Sequence, residues 1–224
     1  MICYYTGSRN LYPSMKPAIE SLLDHNKADV VLLVEDDDVG WAVPDCVRIV
    51  NVSEVGKEML KHSPNFGTRF TYLALIRVAA SKFIDADRVI QLDCDTIVCD
   101  SLNELWNVDF DGCHYAAVPE YKGTFKPYGD RYYNAGVMVQ NLKLIRETGM
   151  DNKMINWLNT NRVPYIDQDA FNCMCKAKEL PVRFNECFCC GETDNPAIVH
   201  YAGVTDWYNG KQHRYEYLEK YKNR

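Results

Sequence analysis

The chain has 224 residues, a length that suits one domain with a sizeable core and does not require a second. Apolar residues make up 47% and charged residues 25%, an ordinary globular balance that argues against a disordered or fibrous chain. The formal net charge of −6 argues against a uniformly basic, nucleic-acid-binding surface, although an acidic protein can still hold an anionic ligand through a cation.

Strand and helix signals alternate through the first hundred residues. Ile2–Tyr5 reads as a strand, and Met1 leads straight into it with no charged-then-apolar leader. Ser14–His25 follows as a helix, with Met15, Ile19, Leu22 and Leu23 at helical spacing. Val30–Val34 is a continuous apolar run, the pattern of a strand buried on both faces. Arg48–Val52 is a further short strand. Thr68–Phe83 carries Leu73, Ala74, Arg77, Ala80 and Phe83 at helical spacing, and Arg88–Leu92 is a strand running into Asp93. This order predicts an α/β fold with a mostly parallel, Rossmann-like sheet and helices on both faces. In the second half, His114–Val118, Ala135–Gln140 and Ala197–Tyr201 read as strands, and Asn152–Asn159 and Gln168–Cys175 as helices.

Open α/β sheets bind ligands beyond the carboxyl ends of their strands. Three segments meet that condition: Thr6-Gly7-Ser8, Asp93-Cys94-Asp95 and His200. Two carboxylates one residue apart at a strand end can reach the same ion if the chain bends, and hard oxygen ligands suit Mg²⁺ or Mn²⁺. An imidazole beside them favours Mn²⁺. Alone, Asp-x-Asp also fits a plain turn. Asn134-Ala135-Gly136 offers small residues for close backbone approach to a ligand, or simply a turn into a core strand. Asp167 is placed to cap the next helix, or to share a sugar-hydroxyl clamp with Gln168 and Asp169.

Ten cysteines in a chain without a leader point to a reducing, cytosolic setting and to free thiols. Cys173, Cys175, Cys187, Cys189 and Cys190 cluster in sequence, but without the paired C-x-x-C spacing usual for zinc. Buried, inert thiols are therefore expected. No run of 18 apolar residues predicts a membrane span. The tail, residues 208–224, mixes tyrosines with Lys211, Arg214, Lys220, Lys222 and Arg224. It reads as a terminal helix packing its tyrosines on the domain; the alternative is peripheral contact with an anionic membrane.

Taken in order, these segments resemble glycosyltransferase family 8, the family of glycogenin and the lipopolysaccharide galactosyltransferases. The similarity is densest from Arg77 to Trp106 and returns at Tyr133–Asn141, Asp167–Asn172 and His200–Trp207. The resemblance implies a GT-A fold over residues 1–224 and retaining transfer of a hexose to a glycan hydroxyl. The implied donor is a nucleotide sugar, UDP-glucose or UDP-galactose. It implies Asp93, Asp95 and His200 as ligands of Mn²⁺ or Mg²⁺. Tyr5, Thr6, Gly7, Asn10, Asp93 and Cys94 would meet the nucleotide. Arg77, Asn134, Ala135 and Asp167 would meet the donor sugar, with Gln168 near the anomeric carbon and Asp169 the nearest spare carboxylate. Two departures stand out. Ser8 replaces an acidic residue expected near uracil. Val204-Thr205-Asp206-Trp207 lacks the lysine expected on the diphosphate, a charge Lys211 or Arg9 would have to replace. A nucleotidyltransferase and a non-catalytic nucleotide-sugar-binding relative are the competing readings.

Overall fold

The computed structural model describes residues 1–66, 72–121, 131–203 and 214–222. A seven-stranded sheet forms its centre, built from β1 (Ile2–Gly7), β2 (Asp29–Val34), β3 (Val47–Asn51), β4 (Val89–Leu92), β6 (Tyr115–Pro119), β7 (Tyr133–Gln140) and β8 (Ala177–Glu179). The strand order is β3-β2-β1-β4-β7-β6-β8. Every pairing is parallel except the two made by β7, which runs against β4 and β6. The expected mostly parallel sheet is therefore present, with one reversed strand set into it. A second, two-stranded sheet pairs β5 (Thr96–Val98) with β9 (Ile198–His200) antiparallel, and Thr96 lies opposite His200.

The apolar runs explain the layering. Successive side chains of a strand point to opposite faces, so Val30 and Leu32 enter one core and Val31 and Leu33 the other. α1 (Tyr12–His25) covers the first face with Met15, Ala18, Ile19 and Leu22. α3 (Tyr72–Ile76), α6 (Met150–Thr160) and α7 (Ile166–Met174) cover the second with Leu73, Ile76, Met154, Leu158 and Phe171. The shorter helices are α2 (Ser53–Leu60), α4 (Asn103–Trp106), α5 (Leu142–Thr148) and α8 (Tyr215–Lys222).

Two expectations need correction. The helix foreseen at Thr68–Phe83 is not one continuous α-helix. Its residues 68–71 lie outside the described residues. The remainder is α3 followed by a 3₁₀ segment, Arg77–Lys82. The small Ala79, Ala80 and Ser81 let α6 lie close against this tighter turn, and Ser81 Oγ donates to Asp151 Oδ2 at 2.7 Å. Asp167 is not the cap of α7. The cap position is Tyr165, whose N–H is accepted by Asp169 Oδ2 at 2.8 Å. The described part of the tail packs on the domain as expected: Leu218 and Tyr221 of α8 are buried against Ile97, Val199 and Tyr201. Val204–Trp207 and Lys211 lie outside the described residues.

Candidate active site

β4 ends at Leu92, and the chain turns at once. Thr96 N–H and Oγ1 both donate to Asp93 O, at 3.2 and 2.7 Å, closing a tight bend. The bend turns the Asp93 and Asp95 side chains toward one point. Cys94 between them faces inward, and its thiol donates to Thr6 O at 3.2 Å, tying the turn to the end of β1. The β5–β9 pairing then delivers the third group. Tyr201 N–H donates to Asp95 O at 2.9 Å, and His200 Nε2 comes to 3.2 Å from Asp95 Oδ1 and 3.7 Å from Asp93 Oδ2. One donor atom from each of Asp93, Asp95 and His200 lies within 4.8 Å of the others.

A hydrogen-bond chain sets the tautomer of His200. Gly136 N–H can only donate, and it donates to Asn134 Oδ1 at 2.9 Å. Asn185 must therefore offer its amide nitrogen to that oxygen, at 2.8 Å. Its own Oδ1 is left to accept from His200 Nδ1–H, also at 2.8 Å. With Nδ1 occupied, Nε2 is the nitrogen that faces the carboxylates, the usual arrangement of an imidazole ligand held by an outer carbonyl. Burial disfavours a charged ring, but Asp95 outweighs it and holds His200 well above the ordinary imidazole range. The proton on Nε2 stands where a cation would compete for the same oxygens. Burial would raise Asp95 as well, yet His200 draws it below the usual carboxylate range, whereas burial keeps Asp93 above it despite Arg77. Two hard carboxylates and an imidazole nitrogen that gives up its proton fit a divalent ion such as Mn²⁺.

Arg77 joins this cluster to the rest of the cavity. Its Nη2 lies 2.6 Å from Asp93 Oδ1 and donates to Ala135 O at 2.7 Å. Its Nε lies 3.2 Å from Asp167 Oδ2. That second approach is an ion pair without hydrogen-bond alignment, so Asp167 Oδ2 keeps an unused lone pair among the described residues. Burial pushes the Asp167 carboxyl up to about 6, against the pull of Arg77. Beneath lies a buried polar ladder. Tyr4 Oη and Gln140 Nε2 both donate to Gln91 Oε1, and Gln91 Nε2 donates to Ala135 O at 2.5 Å.

The cavity over these groups measures about 510 Å³, a size suited to a small ligand. Its far wall holds Gln168 and Glu120. Gln168 Oε1 accepts from Ala135 N–H at 2.9 Å, and Glu120 Oε1 accepts from Gln168 Nε2 at 3.1 Å and from Asn134 Nδ2 at 2.8 Å. Tyr165 and Phe188 stand at the rim.

Of the residues singled out by sequence, Asp93, Asp95, His200, Arg77, Asn134, Ala135, Asp167 and Gln168 line this one cavity. Tyr5, Thr6, Gly7, Asn10 and Cys94 are not among its lining residues. Tyr5 is fully buried, and Cys94 is spent on Thr6. Asp169 is also turned away: its oxygens accept from Tyr132 Oη at 2.6 Å and from Tyr165 N–H, so it is not a spare carboxylate. Arg9 is exposed and pairs with Asp36. Gly136 is small for a different reason from the one expected. A methyl group there would sit 2.0 Å from His200 Cε1, so the close approach is that of the imidazole. Two residues were missed. Glu120 directly follows β6, which runs one residue beyond the strand foreseen at His114–Val118, and so takes the same position relative to a strand end as Asp93. Asn185 carried no signal, because its role depends on a contact with His200, fifteen residues away.

The model of the family described as glycosyl transferase family 8 matches residues 18–207. A Haemophilus influenzae relative is 35% identical over 51% of this chain and 39% of its own length. Glycosyltransferase GlyA of Streptococcus pneumoniae is 28% identical over 58% of this chain and 20% of its own length, so the chain spans well under half of either protein. Among solved structures, an active-site mutant of LgtC superposes with a TM-score of 0.82 at 19% identity, covering 100% of this chain and 95% of that one. The galactosyltransferase LgtC in complex with donor and acceptor sugar analogues gives a TM-score of 0.72 at 19% identity over the same shares. These likenesses establish the GT-A fold.

Proposed function

The chain belongs to glycosyltransferase family 8, and from that premise and the cavity's geometry we propose that it transfers a hexose, with retention, from a UDP-linked nucleotide sugar to a glycan hydroxyl. Residues 1–224 would act as one domain. The observation that carries the reading is the charge of the cavity. Among its described lining residues, four carboxylates (Asp93, Asp95, Glu120 and Asp167) face a single guanidinium, Arg77. An anionic diphosphate would be repelled there unless a cation intervened, and Asp93, Asp95 and His200 are placed to hold one. A divalent ion bound there would stabilise negative charge on the departing diphosphate without a proton.

The protein's own groups then divide the remaining work. Arg77 fixes Asp93 and compensates Asp167. Asp167 Oδ2, with its unused lone pair, accepts from a sugar hydroxyl. Ala135 and Asn134 shape the wall against the sugar ring, and Asn134 also steers His200 through Asn185. Gln168 is an amide and a poor nucleophile, so its place in the cavity favours same-face attack by the acceptor over a covalent glycosyl-enzyme. Thr6 and Gly7 at the end of β1, and Asn10 in the turn after it, are assigned to the nucleoside; the support is the tie from Cys94 Sγ to Thr6 O, which joins this strand end to the Asp93–Asp95 bend.

The test is release of nucleoside diphosphate from a panel of nucleotide sugars with Mn²⁺ and glycan acceptors, in the wild type and in Asp95→Ala. Release that needs both Mn²⁺ and Asp95 supports transfer. Release of pyrophosphate would replace it with nucleotidyl transfer. Asp206, standing where the resemblance has lysine, keeps a second reading in view: a relative that binds the donor without turnover.

A further inference from the structure

Behind the His200 wall lies a second cluster of metal-ligating atoms. Cys187, Cys189 and Cys190 place their sulfur atoms within 4.8 Å of one another, and all three residues are buried. The backbone gathers them. Gly191 N–H donates to Cys187 O at 2.8 Å, closing a turn whose last residue has φ +114°, a conformation that favours glycine. Cys187-Phe188-Cys189-Cys190-Gly191 thus contains one C-x-x-C pair, Cys187 and Cys190, followed by that glycine. The turn aims the intervening Cys189 at the same point. Cys173 and Cys175, grouped with them in sequence, take no part.

We propose that Cys187, Cys189 and Cys190 form a three-thiolate site for a soft cation, Zn²⁺ or Cu⁺, adjoining the carboxylate–imidazole site but made of different ligands. Three observations support it. All three sulfurs share one small volume; Cys187 and Cys189, now 3.1 Å apart in a thiol–thiol hydrogen bond, would open by roughly 0.7 Å to reach the spacing of about 3.8 Å that thiolates take on a tetrahedral zinc ion. Asn134 Nδ2 reaches Cys189 Sγ at 3.7 Å, an outer N–H donor to a sulfur ligand. Cys189 also lines the cavity, which gives an ion a route to the cluster. The two clusters differ in chemistry. Sulfur selects soft ions, and the oxygen-rich set of Asp93, Asp95 and His200 selects Mn²⁺ or Mg²⁺. On binding, each thiol passes its proton to solvent and no electrons move. The ion would clip Cys187–Cys190 beside Asn185, and so hold the residue that orients His200. The proposal stands apart from the glycosyl-transfer reading.

The probe is Co²⁺ alone, added to the reduced, chelator-treated full chain. The expected result is an intense near-ultraviolet thiolate-to-cobalt charge-transfer band. It should saturate at one equivalent and be displaced by Zn²⁺. It should be unchanged in Asp95→Ala and lost in Cys187→Ser/Cys190→Ser. X-ray absorption at the zinc edge of the wild type loaded with one equivalent of Zn²⁺ gives a readout that needs no variant, and a sulfur shell at about 2.3 Å should appear. Absence of the band from the reduced wild type, its survival in the double serine variant, or a zinc shell of oxygen and nitrogen alone would each overturn the site. So would a protein two hydrogens lighter that takes up no metal, which would make the cluster a dithiol–disulfide pair.

Discussion

Arg77 sits between Asp93 and Asp167 with only 11% of its side chain exposed. Replacing it by alanine would leave Asp167 without a counter-charge and Asp93 with His200 alone, 3.7 Å away. Breaking a buried pair in this way costs about 3–5 kcal/mol, so Arg77→Ala should lower the urea midpoint sharply. Arg77→Lys, which cannot span both acids and Ala135 O, should fall between. Asp167 gives a pH signature. Its folded carboxyl titrates at about 6, against an ordinary value of 3.8, so the folded protein binds a proton that the unfolded chain has already released. The associated stability is fully present below pH 3.8 and is lost as pH rises through 6. A shift of that size is worth at most about 3 kcal/mol. Asp167→Asn, which mimics the protonated form, should therefore gain stability relative to wild type as pH is raised from about 4 to 6; parallel denaturation curves would contradict the assignment. At this scale the sequence exposed Asp93, Asp95 and His200, because Asp93 follows one strand, His200 ends another and Asp95 stands one residue beyond the bend from Asp93. It concealed Asn185 and the commitment of Asp169 to Tyr132 and Tyr165, because both depend on partners that only folding brings near.

Elements decide whether those side chains meet. The antiparallel β5–β9 pair sets His200 opposite Thr96, and the Asp93 bend does the rest. β7 passes beneath with Gly136 under the imidazole. Gly136→Ala should push His200 from its place and weaken Mn²⁺ binding by about 10–100-fold, measured by calorimetry, with the secondary structure retained; unchanged affinity would show that the contact does not position the ring. α8 is held by Leu218, which is fully buried. Leu218→Ala should cost about 2–5 kcal/mol, read from the thermal midpoint, and a near-neutral result would mean that α8 is only loosely docked. Long apolar strands and the helix at Ser14–His25 were legible because burial on both sides, or on one face, prints a period on the sequence. The 3₁₀ turn at Arg77–Lys82 was not, since its residues keep helical spacing and the tightening comes from α6 packing against small side chains. The three-residue strands β5, β8 and β9 are near the lower limit of what a period can reveal. Only β9 was marked, by its short apolar run.

Across the whole molecule, net charge and function pull in opposite directions. The chain carries −6, and the cavity over Asp93, Asp95 and His200 is itself rich in carboxylates. The proposed donor is also an anion, so the account requires the cation to bind before, or together with, the diphosphate. No helix among the described residues is long and apolar enough to cross a membrane. The family resemblance was readable across most of the chain because its segments keep their order along one sheet edge. The sugar and the acceptor were not, because they depend on the shape of a cavity whose rim residues, Tyr165 and Phe188, carry no fixed pattern. The most direct test is calorimetric titration of UDP into the full chain, with and without Mn²⁺, in wild type and Asp95→Ala. Saturable binding should appear only for wild type with Mn²⁺. Equal affinity without the cation, or in a folded Asp95→Ala variant, would contradict the account.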